Sequence, residues 1–568
     1  MEFFIENLLQ GFDAVTQLPV LLCLFAGSLI GIIVGAIPGL GPAAAIAVLL
    51  PATFNMEPLA GLSILLGIYC GAWYAGAIPA ILINTPGTAV AVLSTYDGYP
   101  MTKKGLAKRA LTIAFTSSLV GGLISVIALT FSASMLAQVA KNFGAVEFAA
   151  ATLFGLVLVV IAHKGQMLAA MMMVGIGLFI TTIGLGTTSA VPRYTFGVTS
   201  LLNGIPLVPV VLGVFAIAQA LILLESGHSK DHKDHDTPNI PKPKSESGID
   251  WQGIKSVFKY PKTLLRSSAF GVGIGVLPGV GEFLAQFFSY SSARKASKEP
   301  ESFGKGNPEG LIASETANNA VTGAALVPLL ALGIPGEALT AMMMSVFMVH
   351  NVFPGPQLFT TSGDLVYGIY ISMMLMNLFI FVALLGMSRW SYLISRIDNR
   401  ILGILILSLA LIGTYSINLD LANVWIALFF GIFGYIGRRL GLPMVPMILG
   451  IVLGSILEYR LVQSLTISDG SLMIFLERPI ALILILITLT AILFTLFNVF
   501  RTKGPTTENE ADAESSIKPA PTANISVNKT SAVNKETDIT EETVTNEKPV
   551  AEATLPEKEK APPTTTNH

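Results

Sequence analysis

Charged side chains are scarce in this sequence of 568 residues, of which Asp, Glu, Lys and Arg make up 12%. Soluble domains contain about 25% of these residues, so the composition excludes an ordinary globular protein. No lysine or arginine precedes Lys103, whereas a removable signal peptide begins with a basic segment; we therefore expect the first apolar segment to be retained. A net charge of −2 argues against a nucleic-acid-binding surface.

Cysteine and enzyme motifs are also sparse. Cys23 and Cys70 both lie in apolar runs, which predicts small core residues rather than a disulfide or metal ligands. The sequence lacks a Gly-x4-Gly-Lys-Ser/Thr phosphate loop, a Gly-x-Ser-x-Gly motif and a His-Glu-x-x-His motif. We therefore expect no ATP hydrolysis, no other enzyme activity and no cofactor.

Apolar residues are abundant instead, at 52% of the chain, with a mean hydropathy of +0.68. Many apolar windows of about 18 residues or more follow, which is typical of an all-α polytopic membrane protein. Continuous spans are predicted near residues 106–135, 144–162, 166–187, 205–225, 365–388, 401–417, 420–437, 443–457 and 478–500. Two interrupted spans, described below, bring the predicted crossings to eleven.

The positions of lysine and arginine predict the orientation, because these residues favour short cytoplasmic loops. We expect the basic clusters on the inside, at residues 103–109, 230–266, 294–305, 389–400, 438–439 and 501–503. We expect the polar breaks that lack basic residues on the outside, at 1–17, 53–58, 351–364 and 465–472. Lys141 and Arg193 do not fit this pattern. The N-terminus is thus predicted to be periplasmic and the C-terminus cytoplasmic.

A glycine–proline motif occurs twice in the apolar segments. Residues 31–41 read GIIVGAIPGLG and residues 271–281 read GVGIGVLPGVG. Two glycines four residues apart let a helix pack closely against a neighbour, and the Pro-Gly-x-Gly element then ends that helix. The freed backbone groups cannot face lipid, so each break is expected to face protein or a watery cavity.

The loops around the two copies differ in charge. Loops without a basic residue flank the first copy, whereas basic residues at 255–266 and 294–298 flank the second. Both flanks of a copy are thus expected on the same side of the membrane. The apolar segments after the two breaks, near 43–53 and 282–292, are shorter than the roughly 20 residues that a helix needs to cross the membrane. We predict two inverted-topology repeats, each with a re-entrant helical hairpin, about 18–53 and about 263–293. Tilted, short spans are the alternative.

A second motif, Pro-x6-Pro-Gly, follows each predicted hairpin. It reads PAILINTPG at 79–87 and PLLALGIPG at 328–336. This motif predicts broken transmembrane helices, about 59–100 and about 310–350, each divided into two half-helices by an unwound middle. Paired helix breaks in corresponding positions of two halves indicate a transporter binding site.

Polar side chains near these breaks are candidates for binding. An ionisable residue within a span is costly and is a functional hypothesis by default, so Glu282, Glu315 and Glu337 are candidates for cation coupling. Glu282 and Glu315 are equally compatible with helix caps at the cytoplasmic boundary, whereas Glu337 lies deeper. No basic residue lies deep in a predicted span. An anionic substrate would therefore be held by half-helix N-termini, assisted by Asn84, Thr85, Thr88, Asn318 and Asn319.

These features divide the chain into four regions. The first repeat is expected to cover residues 1–225 and the second 263–500, joined by a charged cytoplasmic linker at 226–262. The tail at 501–568 is rich in Thr, Glu, Pro and Lys and poor in aromatic residues. It has too little apolar surface to bury, so we expect a disordered cytoplasmic tail.

The segments GIIVGAIPGLGP (31–42), YAGAIPAILINTPG (74–87), GVGIGVLPGVG (271–281) and IPGE (334–337) resemble the large membrane subunit of tripartite tricarboxylate transporters, the TctA-like proteins. The resemblance implies a bacterial inner-membrane permease that imports carboxylates by symport with Na⁺ or H⁺. It also implies a small four-span membrane subunit and a periplasmic solute-binding protein as partners. The implied fold is similar to that of elevator transporters.

The resemblance also implies a substrate-binding region at the motif positions. These are Pro38, Gly39, Gly41, Asn84, Thr85, Pro86 and Gly87 in the first half, and Pro278, Gly279, Gly281, Pro335 and Gly336 in the second. The halves differ because Glu282 replaces Pro42 and Glu337 replaces Thr88, so the two hairpin tips are chemically unequal. A passive channel or pore on the same repeats is the alternative function, and a homo-oligomer is compatible with the sequence.

Overall fold

A computed structural model of the chain describes residues 2–38, 40–163, 165–186, 190–226, 248–387, 399–417 and 419–501. These residues are α-helical except for turns, loops and one short antiparallel pair, β1 (Gly184–Leu185) and β2 (Pro192–Arg193). The prediction of an all-α protein is therefore confirmed for this part of the chain. Gly39, most of the predicted linker and the predicted disordered tail beyond residue 501 lie outside the described residues.

Two helices occupy the residues of the first predicted hairpin. After α1 (Glu2–Thr16), helix α2 (Leu18–Ala36) ends at the glycine–proline motif, and α3 (Pro42–Thr53) begins directly after it. Proline is well suited to the first position of α3, because the N–H group of a residue at this position has no hydrogen-bond partner within the helix, so its absence costs nothing.

The first Pro-x6-Pro-Gly motif is helical up to Ile83 and unwound at its end. Helix α4 (Pro58–Ala75) continues through Gly76 into α5 (Ala77–Ile83), and unwinding begins only at Asn84. Pro79 does not break the helix because it lies in the first turn of α5, where its missing N–H is tolerated. A 3₁₀ turn (Ala89–Ala91) and α6 (Val92–Lys103) follow.

The first half continues with long apolar helices. These are α7 (Ala107–Ala140), α8 (Ala145–Ala162) and α9 (Met167–Thr181), followed, beyond a 3₁₀ turn (Thr199–Leu201), by α10 (Leu207–Val211), a π-helical segment (Leu212–Ile217) and α11 (Ala218–Ser226).

The second half begins with the counterparts of the motif helices. These are α12 (Trp251–Val257), α13 (Pro261–Gly275), α14 (Gly281–Ala296), a 3₁₀ turn (Pro300–Ser302), α15 (Pro308–Ala324), α16 (Leu326–Leu332) and α17 (Ala338–Val349). The remaining helices are α18 (Leu358–Thr361), α19 (Gly363–Met387), α20 (Asn399–Ser416), α21 (Leu421–Arg439), α22 (Val445–Ile467), α23 (Ile474–Glu477) and α24 (Pro479–Arg501).

Nine helical segments among the described residues are long and apolar enough to cross a membrane. They are 18–36, 58–83, 107–140, 145–162, 207–225, 363–387, 421–439, 445–467 and 479–497. This confirms the prediction of a multi-pass membrane protein. The spans predicted near 166–187 and 401–417 form shorter apolar helices, and the one near 310–350 is divided among α15, α16 and α17.

Helix α22 extends further than the span predicted at 443–457 and takes in two charged residues. Glu458 accepts a hydrogen bond from Arg193 at 2.6 Å, and the Arg460 guanidinium lies 5.0 Å from the ring centroid of Phe148. Because both charges have partners, the helix tolerates them. Arg193, which did not fit the charge pattern, is thus paired with an acid.

The glycines of the first motif bring helix backbones together in both halves. A Cβ on Gly31 of α2 would lie 2.6 Å from the carbonyl oxygen of Ile68 in α4. A Cβ on Gly271 of α13 would lie 2.5 Å from the Cβ of Ala320 in α15. A larger side chain would force either pair apart, so the predicted close packing is confirmed.

Helices α4 and α15 lie at the centre of the described structure. The segment 58–83 is 94% buried, whereas 479–497 is 11% buried at the periphery. All residues of α15 from Glu309 to Ala324 are buried as well. Polar side chains on these two helices therefore face protein and not lipid, which makes them the place to look for a site.

Candidate functional site

Both Pro-x6-Pro-Gly motifs end their helix in the same way. Asn84 (φ 57°) after α5 and Gly333 (φ 69°) after α16 take the left-handed conformation that commonly ends a helix. The N–H of the next residue donates to the carbonyl oxygen of the motif's first proline, at 3.3 Å in the first half and 3.2 Å in the second. Asparagine is one of the few residues besides glycine that tolerates this conformation.

Each loop then contacts the helix pair that contains the first motif. In the first half, a Cβ on Gly87 would lie 2.1 Å from the carbonyl oxygen of Gly35, near the end of α2. In the second half, the N–H of Gly279 donates to the carbonyl oxygen of Gly336 at 2.6 Å. The two motifs of each half, far apart in sequence, are therefore in direct contact.

Two acidic candidates, Glu282 and Glu337, lie side by side. Their carboxyl groups are close enough to interact electrostatically, and Tyr69 of α4 donates its hydroxyl to Glu337 Oε1 at 2.5 Å. The rings of Tyr69 and Trp73 meet edge to face, with centroids 6.0 Å apart. Trp73 Nε1 and Glu282 Oε1 are buried and have no hydrogen-bond partner among the described residues.

An amide chain extends this group of residues. Gln286 Nε2 donates to Asn318 Oδ1 at 3.0 Å, and Asn318 Nδ2 lies 3.5 Å from the carbonyl oxygen of Trp73. Gln286 lies one turn after Glu282 on α14, so both face the same way. We name this group the Glu337 cluster; it comprises Tyr69, Trp73, Glu282, Gln286, Asn318 and Glu337.

Glu315 belongs to a second group. Ser94 of α6 donates to Glu315 Oε1, and Ser118 of α7 donates to Oε2 at 3.0 Å. Asn319 Nδ2 donates to the backbone carbonyl of Glu315 at 3.2 Å. Ser94, Ser118, Glu315 and Asn319 form what we name the Glu315 cluster. Glu315 is 1% exposed and lies in the middle of α15, so it does not cap a helix.

Glu282 is placed differently, since it is the second residue of α14. An acid in the first turn of a helix interacts favourably with the helix dipole. A capping role for Glu282 is therefore compatible with its contact with Glu337.

The remaining predicted binding residues lie in the loops after α5 and α16 and at the breaks between α2 and α3 and between α13 and α14. Thr85 is exposed, and its hydroxyl donates to the carbonyl of Ile83 at 3.3 Å. Thr88 is buried, and its Oγ1 has no partner among the described residues. Gly87, Pro335 and Gly336 are buried, whereas the partly exposed positions are Pro38, Gly41, Asn84, Pro86, Pro278, Gly279 and Gly281. Gly39 lies outside the described residues.

Sequence reasoning assigned no role to the other members of the two clusters, Tyr69, Trp73, Gln286, Ser94 and Ser118. A usable signal was helical spacing, because Tyr69 and Trp73, like Glu282 and Gln286, are four residues apart and share a helix face. The pairing of Ser118 with Glu315, separated by 197 residues, has no sequence signal.

Asp97 joins α6 to the loop before α15. Its Oδ1 accepts hydrogen bonds from three backbone N–H groups, those of Gly304, Gly306 and Asn307, at 2.9, 2.9 and 2.7 Å. Tyr290 of α14 donates its hydroxyl to Oδ2 at 2.8 Å. Hydrogen bonds to an ionised carboxylate are stronger than those between neutral groups, so Asp97 holds α6 of the first half against this loop of the second half.

Comparison with known proteins gives the chain a family. The family model described as "Tripartite tricarboxylate transporter TctA family" matches residues 21–449. An Agrobacterium vitis protein described as "Uncharacterized 52.8 kDa protein in TAR-I ttuC' 3'region" is 36% identical over 500 residues, which is 88% of this chain and 97% of the relative.

A second Agrobacterium vitis relative, "Uncharacterized protein in TAR-II ttuC' 3'region", is 37% identical over 230 residues, which is 40% of this chain and 95% of the relative. No solved structure matches the chain. The family match covers both copies of both motifs and most of the described helices. The chain therefore belongs to the tripartite tricarboxylate transporter TctA family.

Proposed function

We propose that the chain is the large permease subunit of a secondary transporter that imports carboxylates of the tricarboxylate or dicarboxylate type together with a cation. The observation that carries the proposal is the matched geometry of the two motif loops, each pressed against the first motif of its own half. Family membership supports the substrate class. A protein with only a structural role would not need two helix interruptions of this kind at the centre of the fold.

The substrate is proposed to bind where the two motif regions approach each other. Half-helix N-termini offer N–H groups and a positive dipole end to a carboxylate, and Thr88, Asn84 and the amides of α15 supply neutral polar groups. The acids Glu282, Glu315 and Glu337 are the candidates for holding Na⁺ or H⁺. A bound cation would also offset the negative charge of the substrate.

The architecture is proposed to be two inverted repeats that work as an elevator. The matched helix ends at Asn84 and Gly333 support the repeat, and the opposite charge bias of the flanking loops supports the inversion. Helix pairs α2–α3 and α13–α14 are the proposed re-entrant hairpins. The proposed setting is the bacterial inner membrane, with a periplasmic N-terminus and a cytoplasmic C-terminus.

Two partners are proposed, a small four-span membrane subunit and a periplasmic solute-binding protein that delivers the substrate. Family membership implies a transporter of several subunits in general. The exposed apolar face of α24 is compatible with either lipid or the small subunit.

Uptake by proteoliposomes tests this function. The chain is reconstituted with the small subunit and the binding protein, and labelled di- and tricarboxylates are offered under imposed Na⁺ or proton gradients. We expect accumulation of a carboxylate above its outside concentration, only with a gradient and only with the binding protein. Equilibration that ignores both gradients would instead identify a passive pore, and the proposal would be wrong.

A further inference from the structure

We propose that the Glu315 cluster is a Na⁺ site, in which oxygens of Glu315, Asn319, Ser94 and Ser118 coordinate the ion. The inference rests on the proposed transport function for the role of the ion, and it deepens that function by assigning one coupling ion to one place. The site would join the halves of the chain, because α6 and α7 supply the serines and α15 supplies the acid and the amide.

The first argument is the absence of a counter-charge. Glu315 is 1% exposed, and the groups that act on its carboxylate are the hydroxyls of Ser94 and Ser118, with no basic side chain of the described residues among them. Burying a carboxylate without a positive partner is costly. A bound cation removes this cost.

The second argument is an orphaned oxygen one helical turn away. Asn319 is completely buried, and its Oδ1 has no hydrogen-bond partner among the described residues. The amide orientation is set by Nδ2, which donates to the carbonyl oxygen of Glu315 at 3.2 Å. Rotating the amide would place Asn319 Oδ1 against the carbonyl oxygen of Glu315, and both are acceptors. Oδ1 therefore stays available to a cation.

The third argument is that Asn319 faces the same neighbour as Glu315. Glu315, Asn319 and Thr322 follow each other on one face of α15. Glu315 contacts Ser118 of α7, and Thr322 Oγ1 lies 3.4 Å from Ser125 Oγ, also in α7. Asn319 lies between these two contacts, so its side chain faces the interface of α7 and α15 together with the carboxylate.

The composition of the cluster selects the ion. A single carboxylate balances one positive charge, and the other ligands are neutral oxygens, which suit hard cations. Within the described part of the chain, no group of three or more His, Cys, Asp or Glu side chains converges to hold a divalent or transition metal. Neutral hydroxyl and amide oxygens with one carboxylate therefore favour Na⁺.

Thermal unfolding of the purified chain in nanodiscs tests the site directly. Unfolding midpoints are compared in NaCl, KCl and choline chloride at equal ionic strength, without substrate. We expect Na⁺ alone to raise the midpoint in a saturable way, because a ligand that binds only the folded state stabilises it. Glu315→Gln should abolish this rise, and Asn319→Ala should weaken the apparent Na⁺ affinity on the order of tenfold.

Glu309 supplies a matched control on the same helix. Its carboxylate also accepts two hydroxyl hydrogen bonds, from Thr263 at 2.6 Å and Ser297 at 2.8 Å. Glu309→Gln should keep the Na⁺ response. The proposal is overturned if the wild type shows no rise of the midpoint in Na⁺ or if K⁺ produces the same rise. It is equally overturned if Glu315→Gln keeps the rise or if Glu309→Gln loses it. If Glu315→Gln does not fold, an unchanged Na⁺ affinity of Asn319→Ala overturns it equally.

The result separates this site from the transport function. A chain that accumulates a carboxylate but shows no Na⁺-specific stabilisation disproves the site and leaves the function standing. A chain that binds Na⁺ through Glu315 but accumulates no carboxylate supports the site and disproves the function.

Discussion

Tyr69 and Glu337 form the residue-scale contact that links the two halves at the second motif. The two residues are 268 positions apart, yet the Tyr69 hydroxyl lies 2.5 Å from Glu337 Oε1. Glu337 also contacts Glu282, so one carboxyl group connects α4, α14 and α17. A conservative change at either end of this hydrogen bond should therefore affect transport more than folding.

Tyr69→Phe should preserve the fold and reduce uptake. The ring and its edge-to-face contact with Trp73 remain, whereas the hydrogen bond to the carboxyl group, of about 1.5–3 kcal/mol, is lost. Roughly a tenfold loss of uptake efficiency or more corresponds to this range, measured as initial rates in proteoliposomes. Tyr415→Phe, at an exposed position, is the control and should behave like the wild type. Full activity of Tyr69→Phe would show that the contact has no functional role.

Glu337→Gln should alter the cation dependence of uptake more than it alters expression. Glutamine preserves the size of the side chain and still accepts the hydrogen bond from Tyr69, but it carries neither a negative charge nor a titratable proton. The measurement is uptake as a function of Na⁺ concentration and of pH, beside the amount of protein in the membrane. Unchanged Na⁺ and pH profiles would reduce Glu337 to the N-cap of α17.

At the scale of elements, the connections between helices are held by backbone geometry. The break between α13 and α14 depends on Gly279, which has a φ of 78° and packs against Val159 of α8. The loop before α15 depends on Asp97, which holds three backbone N–H groups. The missing side chain of Gly279 and the carboxylate of Asp97 thus each determine the conformation of the connection between two helices.

Gly279→Val should abolish transport while leaving membrane insertion intact. A β-branched residue is strained at a positive φ, and its Cβ would lie 2.6 Å from the Cα of Val159. Uptake and the yield of membrane-inserted protein are measured together. Gly273→Ala in α13 is the control, because no atom lies within 4 Å of the added Cβ and the backbone is helical. Normal uptake by Gly279→Val would remove the reason to place the site at this break.

Asp97→Asn should lower the stability of the protein by about 2 kcal/mol, because hydrogen bonds to a charged acceptor are stronger than those to an amide. The readout is the unfolding midpoint of the purified chain. Glu301→Gln, at an exposed position in the 3₁₀ turn before the loop at 304–307, should have no effect. An equal midpoint for Asp97→Asn and the wild type would mean that the negative charge of Asp97 does not fasten the loop.

At the scale of the whole molecule, the proposed inversion makes the two hairpins approach the membrane from opposite faces. The opposite charge bias of the flanking loops supports the inversion, and the matched loop geometry of both halves supports the repeat.

Single-cysteine labelling determines the orientation. With Cys23 and Cys70 replaced, a cysteine at exposed Asn55 should react with an impermeant thiol reagent added from the periplasmic side, and a cysteine at exposed Lys298 only from the cytoplasmic side. A cysteine-free chain is the control for background labelling. Labelling of both positions from the same side would rule out the inverted repeat.

Much of the helix layout was predictable from local sequence. Apolar length, the Pro-Gly-x-Gly breaks and the small-residue spacing at Gly31 and Gly271 each depend on neighbours in the chain, and the described structure agrees with them. Pro79 does not interrupt its helix, because a proline within the first turn of a helix is tolerated. The early end predicted for α22 was wrong, because Glu458 and Arg460 find partners on other elements.

The sequence by itself determined that this is a multi-pass helical protein with two pairs of interrupted helices, because hydropathy and the conformational limits of proline and glycine act locally. Only the tertiary structure decided which polar groups meet. The contacts of Tyr69 with Glu337, of Ser118 with Glu315 and of Asp97 with the loop at 304–307 join residues 268, 197 and up to 210 positions apart. Their partners are chosen by helix packing, in which residues distant along the chain become neighbours in space.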